Sequence, residues 1–315
     1  MDSKLQIDYP ILTIGIPTYN RPGEIKKQVR LLLPQLNERV NLIVYDNHSN
    51  IPIESYFTSG ELSKFTLIRN KVNVGGDANI ARCFENCETK WLWTLSDDDY
   101  VRKDAVAFML DIIDKKGDAV FLNFCKGVSF KTKGFDELIN KFKCPTVFSS
   151  SFTMSSCLYD ISKLQPSLQN YYTNLSSMVG TIILVLKYVQ KNEDVICEFI
   201  DETLIDSYND EVGWDYRTYI PRTRIFLEAF YDSKRNSLYN GTLFLGCHLT
   251  NYWLIANDRN KKKVSYIERC SLFILTLNNQ GILNSFIYCP KTIVRLTLTL
   301  ILDHKFLKGL KTRDK

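Results

Sequence analysis

The sequence predicts an α/β domain on a mostly parallel sheet with flanking helices, over residues 1–215, and a helical region over 216–315. Three observations carry this. Over the first 125 residues, short apolar runs alternate with segments of helical period. The runs are apolar at nearly every position, as in strands covered on both faces. Beyond residue 215 the long apolar segments keep only a helical period.

Taken in order, Ile11–Ile16 is an apolar run that stops at Pro17, as a buried strand does. Ile25, Val29, Leu32, Leu33 and Leu36 then fall on one helical face. Leu42–Tyr45 and Phe65–Arg69 read as the second and third strands. Asp77–Glu88 reads as a helix with Asp77 as N-cap. Trp91–Leu95 is the fourth strand, Lys103–Lys116 a helix, and Ala119–Phe124 a further strand. Lys131–Lys143 reads as a charged, exposed connector and Phe148–Asp160 as a Ser-rich stretch. Ser177–Lys191 reads as a helix, Val195–Ile200 as a strand and Asp201–Trp214 as an acidic loop. Ile225–Tyr231, Leu243–Ile255, Val264–Leu277 and Thr292–Leu310 favour helix.

The composition narrows the class of protein. In 315 residues, 45% are hydrophobic and 12% aromatic, which is enough for a packed core and too much for a disordered chain. A net charge of +5 is too small to imply nucleic-acid binding. Nine scattered cysteines, an odd number, form no disulfide framework and fit a reducing cytoplasm. Cys83 and Cys87 lie one helical turn apart, but no second Cys or His pair accompanies them, so ordinary buried thiols are expected. His48 reads as loop filler, His304 as a surface residue and His248 as a core residue. The N-terminal residues lack the apolar stretch of a secretory signal, and no segment reaches the ~18 apolar residues of a membrane span.

In parallel sheets, ligands bind beyond the carboxyl ends of the strands. Three such ends are polar: Pro17–Pro22, Asp46–Asn50 and Ser96–Tyr100. A fourth polar segment, Asn70–Asn79, precedes a helix. The sharpest signal is Asp97-Asp98-Asp99. Adjacent carboxylates repel one another unless a cation neutralises them, and Mg²⁺ or Mn²⁺ with phosphate oxygens suits such a set. The plain alternative is a solvent-exposed acidic turn ahead of the next helix.

Ile14-Gly-Ile-Pro-Thr-Tyr-Asn-Arg21, Val44-Tyr-Asp-Asn-His-Ser49, Asn73-Val-Gly-Gly-Asp-Ala-Asn79 and Leu95-Ser-Asp-Asp-Asp-Tyr100 follow one another in that order. Together they resemble the motif series of family 2 glycosyltransferases with the GT-A fold, over residues 10–125. Within that family the chain is most similar to bacterial O-antigen and capsule transferases, including the abequosyltransferase-like group. The resemblance implies a sugar moved from a nucleotide-sugar donor to a saccharide acceptor, on a lipid carrier, with inversion. It also implies roles. Pro17, Thr18, Tyr19 and Asn20 would wrap the base, Asp46 would accept a hydrogen bond from it, and Arg21 would approach base or phosphate. Gly75, Gly76 and Asn79 belong to the segment passing the nucleoside. Asp97 would contact the ribose, with Asp98 beside it, and Asp99 would hold a Mg²⁺ or Mn²⁺ on the diphosphate.

The chain departs from the pattern at the catalytic base. Where relatives carry a Glu-Asp pair, Tyr171–Ser177 has no carboxylate, which leaves Asp201, Glu202, Asp206 and Asp215 as open candidates. Trp214 and Tyr216, flanking Asp215, could stack on a sugar or anchor a helix in the core. A sugar nucleotidyltransferase and a non-catalytic nucleotide-sugar-binding scaffold are the rival readings. The former needs a Gly-rich loop with Arg and Lys after its first strand, where this chain has Pro17–Gly23.

From Lys291 onward, Lys291, Arg295, Lys305, Lys308, Lys311, Arg313 and Lys315 face only Asp303 and Asp314, so the tail holds the entire net charge. With Ile293, Leu296, Leu300, Leu307 and Leu310 it reads as a basic amphipathic helix suited to an anionic membrane, and Arg259 with Lys261–Lys263 could add to it. The expected location is cytoplasmic, peripheral on the inner face of the inner membrane.

Overall fold

A computed structural model of the protein describes residues 10–208, 216–230, 237–257 and 265–311. The elements run β1 (Leu12–Thr18), α1 (Pro22–Leu32), β2 (Val40–Asp46), α2 (Ser59–Leu62), β3 (Thr66–Arg69), α3 (Gly76–Glu85), β4 (Trp91–Thr94), β5 (Asp99–Val101), α4 (Ala105–Lys115), β6 (Ala119–Phe124) and β7 (Phe130–Lys133). They continue with α5 (Gly134–Lys141), α6 (Pro145–Ser150), β8 (Cys157–Asp160), α7 (Ile161–Leu164), α8 (Gln169–Thr173), α9 (Gly180–Lys191), β9 (Ile196–Ile200) and β10 (Ile205–Tyr208). The helices α10 (Tyr216–Glu228), α11 (Ser237–Asn257), α12 (Tyr266–Gln280), α13 (Ile282–Tyr288) and α14 (Pro290–Lys311) follow.

The chain divides into two compact units. One comprises residues 1–135, 150–175 and 180–211; the other comprises 136–149, 176–179 and 212–315. The first unit is built on an eight-stranded sheet in the order β3-β2-β1-β4-β8-β6-β9-β7. β1 pairs in parallel with β2 and β4, and β2 with β3, so the polar ends of β1, β2 and β4 share one edge. That is the α/β architecture the alternation of segments predicts. β8 runs antiparallel between β4 and β6, and β10 pairs antiparallel with β5 in a separate ribbon.

Leu12, Ile14, Ile16, Trp91 and Trp93 are fully buried. Ile25, Val29 and Leu32 of α1 close one face, and Pro22 opens that helix where its missing N–H costs nothing. On the other face α3 sits tightly on β1: a Cβ on Gly15 would meet the Cys83 Cβ at 3.0 Å. Cys83 is fully buried there, and burial holds its thiol well above the ordinary range.

Three local expectations are corrected. The charged segment 131–143 is no exposed connector: β7 pairs with β9, and Leu138, Ile139 and Phe142 are fully buried. Its charges lie between those apolar positions, on the outer side of an amphipathic turn. The N-cap of α3 is Gly75, at φ +87°, and makes no side-chain cap hydrogen bond; Asp77 sits in the first turn instead. Inside the helical unit, Ile293, Leu296 and Leu300 of the apolar face assigned to a membrane are buried, whereas the side chains of Leu307 and Leu310 lie outside the described residues.

The helical unit has its own core. Ile220, Leu272 and Leu296 cluster with Tyr252 and Phe273 against them. Rings of Phe142, Phe148, Phe226 and Phe230 form a chain at centroid spacings of 5.6, 5.9 and 5.7 Å.

Candidate donor-binding site

The Asp97–Asp99 turn leaves β4 and is not the solvent-exposed acidic turn of the plain alternative. Asp97 is buried; its Oδ2 accepts from the Thr18 hydroxyl at 2.6 Å and its Oδ1 from Arg21 Nη1 at 3.0 Å. The same Arg21 nitrogen reaches Asp98 Oδ2 at 2.7 Å, and the Ser96 hydroxyl donates to Asp98 Oδ1 at 2.5 Å. Arg21 of the protein thus neutralises two of the three carboxylates, where the sequence pointed to a divalent ion. Burial works against the Arg21 charge, and Asp97 with Asp98 more than restores it. Burial nevertheless pushes Asp97 up to about 6, against the pull of Thr18 and Arg21.

Asp99 differs. Its Oδ2 accepts from the Ser155 hydroxyl at 2.6 Å, and among the described residues it forms no ion pair. Burial raises its pKa too. A half-buried carboxylate with one oxygen held and no cationic partner fits a hard divalent ion that takes its remaining ligands from water and phosphate. Among the described residues no group of three His, Cys, Asp or Glu could hold a metal ion by itself.

The turn is braced from outside. Gln28, fully buried on α1, donates to the carbonyls of Ser96 at 3.2 Å and Asp99 at 2.6 Å. Ser155 also accepts from the Ser96 amide at 3.0 Å.

Beside this turn, the loops after β1 and β2 are tied together. Asn20, at φ +54°, donates its amide to Ser49 Oγ at 2.9 Å and accepts from the Asn50 amide at 2.8 Å. The Asn47 amide donates to the Thr18 carbonyl at 2.9 Å. Asp46, the expected acceptor for a base, is fully buried. Its Oδ1 accepts from the Ser49 amide at 2.8 Å and its Oδ2 is ion-paired with Arg69. Both oxygens thus hold the loop. Tyr19 and Gly76 are exposed and Pro17 is half-buried. His48 stands at φ +65° with Nδ1 3.2 Å from the Asn70 carbonyl oxygen.

An asparagine network that sequence reasoning missed fixes the third loop. Asn70 Nδ2 donates to Asn47 Oδ1 at 3.0 Å and Asn79 Oδ1 at 2.8 Å, and Asn47 Nδ2 donates to Asn73 Oδ1 at 2.8 Å. Asn79 Nδ2 reaches the Tyr45 carbonyl at 2.9 Å. The Gly75 amide donates to Asn73 Oδ1 at 2.8 Å. The clue was the density of asparagines around the motifs; which of them would pair was not written locally.

The base candidates separate. Asp201 Oδ1 accepts from the Gly127 amide at 2.5 Å, and Glu202 Oε1 pairs with Arg102 at 2.9 Å. Asp206 is exposed at the bulge of β10, opposite the Tyr100–Val101 step, with Tyr208 in register with Asp99. Asp215 and Trp214 lie outside the described residues, as does the side chain of Tyr216.

Residues 13–155 match the family described as Glycosyl transferase family 2. Over these residues the chain is similar to family 2 glycosyltransferases. The chain resembles the crystal structure of S. aureus TarS 1-349, with a TM-score of 0.60 at 11% identity, over 97% of this chain and 92% of that one. It resembles the same fragment in complex with UDP-GlcNAc equally, at 0.60 and 10% identity, over 95% and 92%. At such identities the likeness shows the GT-A fold. A likeness at TM-score 0.49 and 14% identity, over 93% and 85%, is to the mannosyltransferase PcManGT from Pyrobaculum calidifontis in complex with GDP-Man and Mn²⁺. No curated protein matches the chain.

Proposed function

We propose that the protein is a glycosyltransferase that binds a nucleoside diphosphate sugar at the shared edge of β1, β2 and β4 and passes the sugar, with inversion, to a saccharide hydroxyl on a lipid carrier. The product belongs to bacterial surface polysaccharide of the O-antigen or capsule type, and the enzyme works at the cytoplasmic face of the inner membrane. The observation that carries the reading is the convergence of the four motif loops on one sheet edge, with Asp99 free of any ion pair among the described residues.

In this reading residues 1–215 hold the donor. Pro17, Thr18, Tyr19 and Asn20 line the base, with Tyr19 exposed for stacking. Gly75, Gly76 and Asn79 shape the nucleoside wall. Asp97 takes the ribose and exchanges part of its Thr18 and Arg21 bonding to do so. Arg21, released toward the diphosphate, offsets charge on the leaving group, with Asp98 as its anchor. Asp46 acts by positioning the base loop. A Mg²⁺ or Mn²⁺ held by Asp99, when bound, stabilises the departing diphosphate as a Lewis acid.

Asp206 is the base we assign. Asp201 and Glu202 are tied to Gly127 and Arg102, whereas Asp206 is exposed on the strand paired with β5. It would take the acceptor proton as the hydroxyl attacks the anomeric carbon opposite the leaving group. Thermal shift with each nucleoside diphosphate, with and without Mn²⁺, tests the donor site. Turnover of labelled donor with a lipid-linked saccharide tests the transfer, and retention of anomeric configuration in the product would overturn the inverting step.

A further inference from the structure

The outward side of the helical unit carries an apolar surface that its core does not use. Leu283, Phe286 and Ile287 on α13 are 74, 53 and 60% exposed, and Val294, Leu298 and Leu302 on α14 are 56, 52 and 61% exposed. The α14 residues stand four apart, one stripe along the helix, opposite the buried Ile293, Leu296 and Leu300. Contiguous apolar exposure of this kind marks a surface that something covers.

Charge identifies the cover. From Cys270 to Leu302 there is no Asp or Glu, and the two charged residues, Lys291 and Arg295, are both exposed. Lys261, Lys262 and Lys263 precede this stretch, and Lys305, Lys308 and Lys311 follow it. A two-fold contact between copies would bring like charges together, whereas an anionic lipid surface complements them. No single helix among the described residues is long and apolar enough to cross a membrane, and Ile282–Tyr288 meets Pro290–Leu302 at 109°. Two helices at such an angle suit lying in an interface, each with one face in the acyl boundary.

We propose that the exposed face of α13 and α14 docks in the plane of an anionic bilayer. This rests on the membrane location given above, but it reverses the face that the tail's sequence suggests. The test is co-sedimentation of the full chain with vesicles of phosphatidylcholine and phosphatidylglycerol, and with phosphatidylcholine alone. Phe286→Glu and Leu298→Glu, both at exposed positions, should each weaken partitioning by about tenfold or more, since each removes a large apolar side chain from the contact. Circular dichroism and donor turnover with a water-soluble acceptor should stay unchanged. Replacing Lys305, Lys308 and Lys311 together by Gln should reduce binding to the anionic vesicles selectively. Equal pelleting of wild type and both Glu variants overturns the face; if the Gln variant is then released, the membrane location stands without it. Failure of the wild type to pellet overturns both. Self-association without lipid, abolished by the same Glu substitutions, makes the face a contact between copies and overturns the proposal.

Discussion

At the donor edge of the first unit, polar side chains bond mostly to one another. Asn47, Asn70, Asn73 and Asn79 exchange hydrogen bonds, and Asp46, Asp97 and Asp98 are held by Arg69 or Arg21. The helical unit handles polarity differently. Asn251 is fully buried with neither amide atom hydrogen-bonded among the described residues, and Thr250 Oγ1 likewise has no partner among them, while leucines and isoleucines face outward. The contrast teaches where preorganisation was needed. Loops that must fit a ligand are fixed by reciprocal bonds, since a loop ordered only on binding would spend affinity on its own entropy. A helix is ordered by its backbone, so its outer face is free to carry a surface chemistry unrelated to folding.

The strongest test of that contrast removes Asp99, the carboxylate of the Asp97–Asp99 turn that forms no ion pair among the described residues. Asp99→Ala should lower kcat by about a thousandfold, at the upper end for loss of one electrostatic stabiliser, with the fold intact by circular dichroism. EDTA should reproduce the loss in wild type and add nothing to the variant. Near-normal turnover in either experiment would remove the metal from the mechanism.

Next comes Asp206→Asn, expected to lower kcat by about a hundredfold with donor affinity unchanged. Its exposure means that stability should not move. If Asp206→Asn is fully active while an Asp215→Asn variant is not, the base lies in the segment just beyond β10.

The donor edge should also be sensitive where it is only structural. Asp46→Ala removes the anionic partner of Arg69, which keeps its hydrogen bond to the Ser49 carbonyl, and frees the Ser49 amide, which should cost about 3 kcal/mol of local stability. Hydrogen exchange in the loops after β1 and β2 reads this directly. Nucleoside diphosphate affinity should fall by about 1.5–3 kcal/mol, the range for losing a hydrogen bond to a charged group. Unchanged protection with reduced affinity would mean that Asp46 contacts the base itself.

The smallest effect belongs to the helical unit. His248 is buried and stacked on Phe244 at 5.0 Å, and burial lowers its pKa from the ordinary 6.5 to about 4. The unfolded chain therefore binds the proton first. Stability from the neutral ring is whole above about pH 6.5 and drains away as pH falls toward about 4. Thermal melts across that window should show a slope that His248→Gln flattens.

Much of the donor edge was legible because its determinants are local. Apolar runs ending at Pro17, Asp46 and Ser96 give the strands and their polar ends, and helical period gives α1 and α3. Gln28 left a trace as well: a polar residue inside the stripe of Ile25, Val29 and Leu32 that is buried with them. Other features depended on distant partners. β8 and β10 are four residues each, too short for a period, and exist because β4, β6 and β5 offer pairing edges. Asp97 looked exposed because Thr18 and Arg21 stand more than seventy residues away in sequence.

The sequence by itself determined the α/β alternation, the helical C-terminal region and the four motif loops, since strand burial, helical period and turn chemistry act over a few residues. Only the tertiary structure decided which carboxylate lacks an ion pair and which side of α14 faces out. That helix is apolar on both Ile293-Leu296-Leu300 and Val294-Leu298-Leu302. Periodicity cannot choose between two apolar faces; the choice belongs to Ile220 and Leu272, against which one of them packs.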